Sequence, residues 1–446
     1  MTFFWRAPLL LAAAACRSPR PSPAPPRDVP AAPVREASVV RPAAPDVPAP
    51  GGVPRTCDHP IPGPMPLRSV LREHAAALGA SPAPRHLRLT FVGDPTHTVT
   101  VQWATDDATL ATEVRYRAEG EAVDRVARGY SFSYPGASGR RQHRVHLCDL
   151  TPGRRHTYDA GAEGARSNRH AFVTAPDGPE PVRLLVAGDS RAHPEVWRVV
   201  AARALRERPD AMVFTGDAVD DGSFQSLWDA FFDASPELLA TVPAWWVDGN
   251  HEGINAVTDA QFAYPPNGDA AHHGRWWAAT YGPLRLIGLN DVTLPPWGVI
   301  RRDEAQFLAR SLAAVDRART PWVATAHHAP MHTTSGGHAP DLDTRRVWGE
   351  LLDRHHVDLD LSGHTHNYQS SRPMLHDETL SPHGTRYLVF GGAGAQVYQF
   401  RGTAPWVEHQ EVTHGFAVLS LDAHRWRWEA YRADGSRIET LASDAP

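Results

Sequence analysis

Five apolar runs in this chain each end in a tight turn carrying a metal-capable side chain, and that repetition leaves few architectures open. Gly188-Asp189 follows 182–187, Gly216-Asp217 follows 211–215, and Gly249-Asn250-His251-Glu252 follows 244–247. His327-His328 follows 322–326, and Gly363-His364-Thr365-His366 follows 357–361. The runs read as buried strands, joined later by 284–289, 387–390 and 416–421. Helical patterns separate them: one opens at Pro194 with Val196, Val199, Val200 and Leu205 on one side. Others cover 303–319, with Leu308, Leu312 and Val315 at i, i+4 and i+7, and 343–356. Strands alternating with helices predict an α/β domain over 181–446 with a large central sheet or sheet pair. In such a sheet the C-terminal strand ends converge on one crevice, so distant groups share a site, and glycine before each acid lets the backbone approach an ion. One Gly-Asp turn means little alone, whereas five strand ends in this series point to a binuclear metal centre.

Composition narrows the chemistry. The 446 residues hold 45 basic side chains, all arginine, against 50 acidic ones, a formal charge of -5 that gives no electrostatic case for nucleic acid or a membrane surface. Without lysine, P-loop and Schiff-base mechanisms are excluded. Against only 3 cysteines stand 25 histidines, the commonest metal ligand and the near-neutral proton carrier. A hydrophobic content of 42% suits a sizeable core in two or three domains.

Residues 1–16 read as an address: Arg6 precedes a short apolar run ending at Cys16, too short to span a bilayer. Ala13-Ala14-Ala15-Cys16 resembles a bacterial lipobox, so Cys16 is either lipidated, giving a periplasmic or outer-membrane-anchored lipoprotein, or part of a plain signal peptide. Lipidated Cys16 is then the one route to membrane attachment. Residues 17–83 form a Pro/Ala-rich tether and lead-in, with a composition to about residue 66 that cannot bury enough surface to fold. Cys57 and Cys148 either pair in an oxidising compartment or are unrelated thiols. Over 84–176, period-two runs at 87–91, 98–103, 114–116 and 143–147, separated by turn signals, predict a small antiparallel β-sandwich acting as a spacer. Tyr158 after Leu150-Thr151-Pro152-Gly153 is similar to a tyrosine corner. The arginines and histidines between Arg140 and His170 read as a solvated face.

The series Gly-Asp, Gly-Asp, Gly-Asn-His-Glu, a His two before Pro330, and Gly-His-x-His resembles the calcineurin-like metallophosphoesterases, in particular the purple acid phosphatases. The resemblance covers about 87–443 and implies a fibronectin III-like sandwich followed by an αββα metallophosphoesterase domain. It further implies that Asp189 and His366 hold a first metal, Asp217 bridges both, and Asn250, His328 and His364 hold a second. His328 is chosen over His327 for its spacing to Pro330. His251 then corresponds to the histidine that approaches phosphate and leaving group, and His338, in the loop after Gly336-Gly337, to one that faces the substrate.

Two departures stand out. The family's tyrosine ligand three after the second acid is Asp220 here, and related phosphoesterases without that tyrosine have a histidine where this chain has Arg191. Asp220, Asp221, His193 or a water is left to complete the first site, with Asp220 preferred as a short anion near the right turn. Arg191 is either a planar fork for the substrate phosphate or a structural salt bridge. Glu252 either orients His251 or caps a loop.

Two ions about 3.5–4 Å apart need one bridging carboxylate and mixed O/N ligands that leave positions open. A water between them loses a proton near neutral pH and attacks phosphorus in line, and His251 protonates the leaving alkoxide. The expected function is an exported phosphatase acting on small phosphomonoesters with two ions, Fe, Zn or Mn. The alternatives are a phosphodiesterase or nucleotidase of the same superfamily, or a degenerate surface-anchored binding protein, which would have lost several of these ligands. Without the tyrosine ligand, the enzyme is expected to be colourless.

Overall fold

A strand buried on both faces must be largely apolar, and Val182–Ala187 is apolar and buried at every position but Arg183. Its Leu184 and Val186 enter a cluster with Val213, Leu286, Ala324 and Leu419, while Leu185 and Ala187 enter another with Trp197, Val200, Phe214 and Phe231. The computed structural model describes residues 69–269, 272–293 and 302–445; Cys16, Cys57 and the tether 17–66 lie outside the described residues. Val182–Ala187 sits centrally in the order Ala244–Trp246, Ala211–Phe214, Val182–Ala187, Gly415–Leu421, Arg425–Arg432, Arg437–Asp444. A seven-stranded sheet runs Trp277–Tyr281, Leu284–Gly288, Trp322–Ala326, Leu359–Ser362, Arg386–Phe390, Tyr368–Ser371, Val407–Glu411.

The first cluster is shared by both sheets, which therefore pack face to face. Helices Pro194–Arg206, Gln225–Ala234 and Pro236–Thr241 bury their apolar sides on the first sheet, and Arg302–Ala313 and Leu342–Arg354 on the second. This is the αββα arrangement the resemblance implies, and the sheet pair is one of the two forms the strand pattern allows. Parallel pairing within each sheet puts the turns after Val182–Ala187, Ala211–Phe214 and Ala244–Trp246 at one end, and likewise those after Leu284–Gly288, Trp322–Ala326, Leu359–Ser362 and Arg386–Phe390.

The β-sandwich is not a separate bead. Its strands Val70–Glu73, Tyr130–Ser133, Arg140–Leu147, Val99–Asp106 and Arg85–Thr90 extend the first α/β sheet to eleven strands, joined where Thr90 pairs in parallel with Ala244. The second sandwich layer is His170–Val173, Arg155–Ala162, Glu113–Ala118 and Arg125–Arg128. Within the lead-in, Val70–Glu73 forms an edge strand paired with Tyr130–Ser133. Cys148 is disulfide-bonded.

The expected solvated basic face is only partly so: Arg154, Arg155 and Arg169 are exposed, but the side chains on Arg140–Leu147 largely turn inward. His143, Arg144 and His146 on Arg140–Leu147 are closed off from water, as is Arg88. Burial pushes His143 and His146 down to about 3, so both are neutral, and threonine hydroxyls at 2.7–2.8 Å partner their ring nitrogens. The arginines remain buried because they meet carbonyls at a helix end: Arg144 donates to Phe262 O at 2.7 Å and Arg88 donates to Gln261 O. The sandwich thereby grips the segment that follows the Gly249-Asn250-His251-Glu252 turn. Tyr158 points the same way, since its hydroxyl donates to Ala240 O in the catalytic domain at 2.8 Å rather than closing a corner within the sandwich.

One helix ends early. The pattern over 303–319 is helical only to Ala313, because Asp316 folds the next segment into a turn, accepting from Ala318 N at 3.0 Å.

Candidate metal centre

Asp189, Asp217 and His364 hold left-handed backbone conformations, with φ of 60°, 56° and 60°. Such conformations cost non-glycine residues roughly 1–3 kcal/mol each and persist where the surroundings fix the chain. Here they turn three strand ends toward one point. A Cβ on Gly249 would overlap Asp217 Oδ1, and one on Gly363 would overlap Asp189 Oδ2, so only glycine lets these strands pass so near the carboxylates.

Asp217 is the centre of the arrangement. It belongs to two groups whose potential ligand atoms lie within 4.8 Å of one another: Asp217, His328 and His364, and Asp189, Asp217 and His366. In the first group His328 Nε2 stands 3.4 Å from Asp217 Oδ2, 3.2 Å from His364 Nδ1 and 3.2 Å from Asn250 Oδ1. Ligands at roughly 2.0–2.1 Å from a tetrahedral ion lie about 3.3 Å apart, so these spacings fit a shared cation. His328 Nδ1 donates to Thr215 O at 2.7 Å, which aims Nε2 inward. Burial opposes charge on His328, yet the Asp217 carboxylate raises it to about 10, so without a cation a proton stands among these acceptors. In the second group Asp189 Oδ1 is buried without a hydrogen-bond partner, 3.4 Å from His366 Nε2, while its other oxygen accepts from His364 N at 2.8 Å. An orphaned carboxylate oxygen facing an imidazole also suits an ion.

His327 and His328 are neighbours on a strand end and face opposite ways. His327 lies fully buried between Asp291, at 2.9 Å from Nδ1, and Asp360, at 3.0 Å from Nε2. Asp291 further accepts from His328 N and Ala329 N, fixing the turn that presents His328. Asp291 carries no motif signal beyond its place just after a strand, and the sequence reading passed over it.

His251 Nδ1 donates to Asp220 O at 2.6 Å, leaving Nε2 on the side of Asp217 Oδ2, 3.9 Å away. Glu252 does not orient it. Its carboxylate instead accepts from Asp217 N, Ala218 N and Gly249 N at 2.9, 2.7 and 2.6 Å, tying two of the turns together. Burial and the charge of Asp217 push Glu252 up to about 8, against the pull of those N–H groups. Glu252→Ala would leave three buried donors unpaired, and denaturant unfolding should show a loss of about 3 kcal/mol or more.

Asp220 departs from its expected place among the ligands. It belongs to neither group; its carboxylate is 3.2 Å from Arg191 Nη1, because the turn after Ala218 carries the side chain outward toward the guanidinium. Asp221 caps Ser223, His193 pairs with Glu195, and Tyr264 donates its hydroxyl to Asp248. His338 packs its ring 3.9 Å from that of His364 and 6.3 Å from that of His366, beside both groups. His332 packs on Tyr387 and Trp406 in the core. Another strand end, Gly391-Gly392-Ala393-Gly394-Ala395-Gln396, joins the site unannounced by any acid or imidazole: Gln396 O accepts from His366 Nδ1 at 2.7 Å, and Tyr398 stacks on that ring at 4.3 Å. A cavity of about 570 Å³ opens beside Asn250 and His364, walled by Asp291, Ala329, Pro340 and Leu342.

Residues 182–368 match the calcineurin-like phosphoesterase family, and 84–174 match the purple acid phosphatase N-terminal domain. Purple acid phosphatase 21 of Arabidopsis thaliana is 26% identical over 376 residues, covering 80% of this chain and 83% of that protein. An uncharacterized protein of Mycobacterium tuberculosis is 26% identical over 367 residues, 69% of each chain. The structure of a purple acid phosphatase from yellow lupin seeds superposes with a TM-score of 0.72 at 19% identity, over 81% of this chain and 74% of that one, and shares its fold.

Proposed function

Because the chain is a purple acid phosphatase-like metallophosphoesterase, a hydrolase of phosphoric esters, we propose that it hydrolyses small phosphomonoesters at the centre built around Asp217. The observation that carries this reading is the carboxylate of Asp217 standing in both ligand groups, as a bridge between two ions must. In this reading Asp189, Asp217 and His366 would hold one ion, and Asp217, Asn250, His328 and His364 the other. Iron, zinc or manganese bound there supplies Lewis acidity toward phosphoryl oxygens and makes water acidic near neutral pH.

The chain's own groups do the rest. His251, fixed through Nδ1–H by Asp220 O, acts as the imidazolium: its Nε2–H faces the leaving-group oxygen and passes that proton as the P–O bond breaks, leaving the neutral ring protonated on Nδ1. His338, packed against His364, presents its ring to the phosphate. The 570 Å³ cavity receives the alcohol portion. The address in residues 1–16, with Cys16 lipidated, belongs to the same proposal and places the enzyme outside the cytoplasm.

The test is a panel of phosphomonoesters, phosphodiesters and nucleotides offered to purified protein loaded separately with zinc, manganese and iron. Faster turnover of monoesters is expected; preference for diesters would move the assignment to a phosphodiesterase, and inactivity in every metal form would overturn it.

Colour supplies an independent check. A visible band needs a phenolate on ferric iron, and neither Asp220 nor the Asp248-bound Tyr264 provides one. Iron-loaded, oxidised protein should be colourless. A purple protein that bleaches in Tyr398→Phe would show that the phenol stacked on His366 reaches the ion.

A further inference from the structure

We propose that Arg191 is a built-in cation at the first metal position, so that the centre binds one ion tightly and a second only when the guanidinium yields. The proposal rests on the reading that the two groups around Asp217 hold metal.

His366 fixes the argument. Its Nδ1 lies 2.7 Å from Gln396 O and donates to it, so the lone pair sits on Nε2, the atom an ion would take. That lone pair faces Arg191 Nη2 at 3.3 Å. Arg191 Nε is 3.3 Å from Asp217 Oδ2, and Nη1 is 3.2 Å from Asp220 Oδ1. The guanidinium therefore spreads over two atoms belonging to the Asp189–Asp217–His366 group, and Asp220 anchors its third nitrogen. Only 16% of the Arg191 side chain is exposed, and Nε is buried without a completed hydrogen bond, held by charge rather than by a neutral partner.

The two positions then differ in what an ion must displace. At His328, Asn250 Oδ1, His364 Nδ1 and Asp217 Oδ2 stand 3.2–3.4 Å from Nε2, and the guanidinium meets this group through the shared Asp217. At the first position the occupant is a guanidinium, which does not deprotonate in proteins, so the ion must push a fixed charge out of the field of Asp189, Asp217 and Asp220. The sequence agrees: the chain lacks the tyrosine that would complete the first site, and the residue two after Asp189 is Arg191. Asp220 is accordingly a positioning residue for Arg191.

The readout is stoichiometry, independent of turnover. Metal-free full-length protein is titrated with zinc by calorimetry, and zinc retained after desalting is counted by mass spectrometry. Wild type should retain one ion per chain, with any second bound at least a hundredfold more weakly. Arg191→His, which replaces the competitor with a ligand, should retain two, and Arg191→Ala should strengthen the weak site at least tenfold. Asp220→Asn should strengthen it by less, while thermal unfolding shows that each variant is folded. Two ions of equal affinity in wild type, or one ion in both Arg191 variants, overturns the proposal while leaving the metal centre standing. Failure of every protein to retain zinc overturns the metal-centre reading itself, and this proposal with it.

Discussion

Asp217→Asn is expected to lower phosphate release by about a thousandfold or more, equivalent to roughly 4 kcal/mol of barrier, and to lower metal content in parallel. The substitution keeps side-chain volume and retains an oxygen to accept from His251 N, the contact Asp217 Oδ1 makes at 3.0 Å. What it removes is the negative charge that faces His328, His251 and Arg191 at 3.4, 3.9 and 3.3 Å. Two cations sharing a neutral amide repel each other without compensation, so both positions weaken together. Metal analysis and steady-state kinetics on one preparation check this. Near-normal turnover in the variant would show that Asp217 is not shared.

His251→Ala should separate substrates by their leaving groups. An alkoxide needs a proton as it departs, whereas a nitrophenolate leaves largely unaided, so the variant should lose about a hundredfold or more on alkyl phosphates and less than about tenfold on nitrophenyl phosphate. The metal ligands are untouched, and zinc content should stay at the wild-type level. Equal losses on both substrates would remove His251 from the proton-donor role and leave it a packing partner of the 220 turn.

The centre was legible because its chemistry is concentrated at strand ends, where short apolar runs give way to glycine and a polar residue. Those runs needed no tertiary information: Trp322–Ala326 is buried along its length and Val182–Ala187 at every position but Arg183. Contacts between elements distant in the chain were not legible. Arginine is usually solvated, and the burial of Arg144 is explained by partners distant in the chain, the carbonyls of Phe262 and Asp259 and the ring of Phe132. Glu252 stands beside His251 in the chain yet turns to the amides of Asp217, Ala218 and Gly249, a choice set by the neighbouring turn. Tyr368–Ser371 has no apolar pattern and is a strand because Arg386–Phe390 and Val407–Glu411 flank it. Asp220 was placed among the ligands by its spacing, and the guanidinium of Arg191 draws it away.

The central claim is that hydrolysis depends on ions held around Asp217, and metal removal tests it most directly. Protein stripped by a strong chelator to less than about 0.05 ion per chain should release phosphate from a monoester at about a twentieth of the holoenzyme rate or less, and zinc, manganese or iron should restore it. Undiminished hydrolysis by the stripped protein would contradict the account.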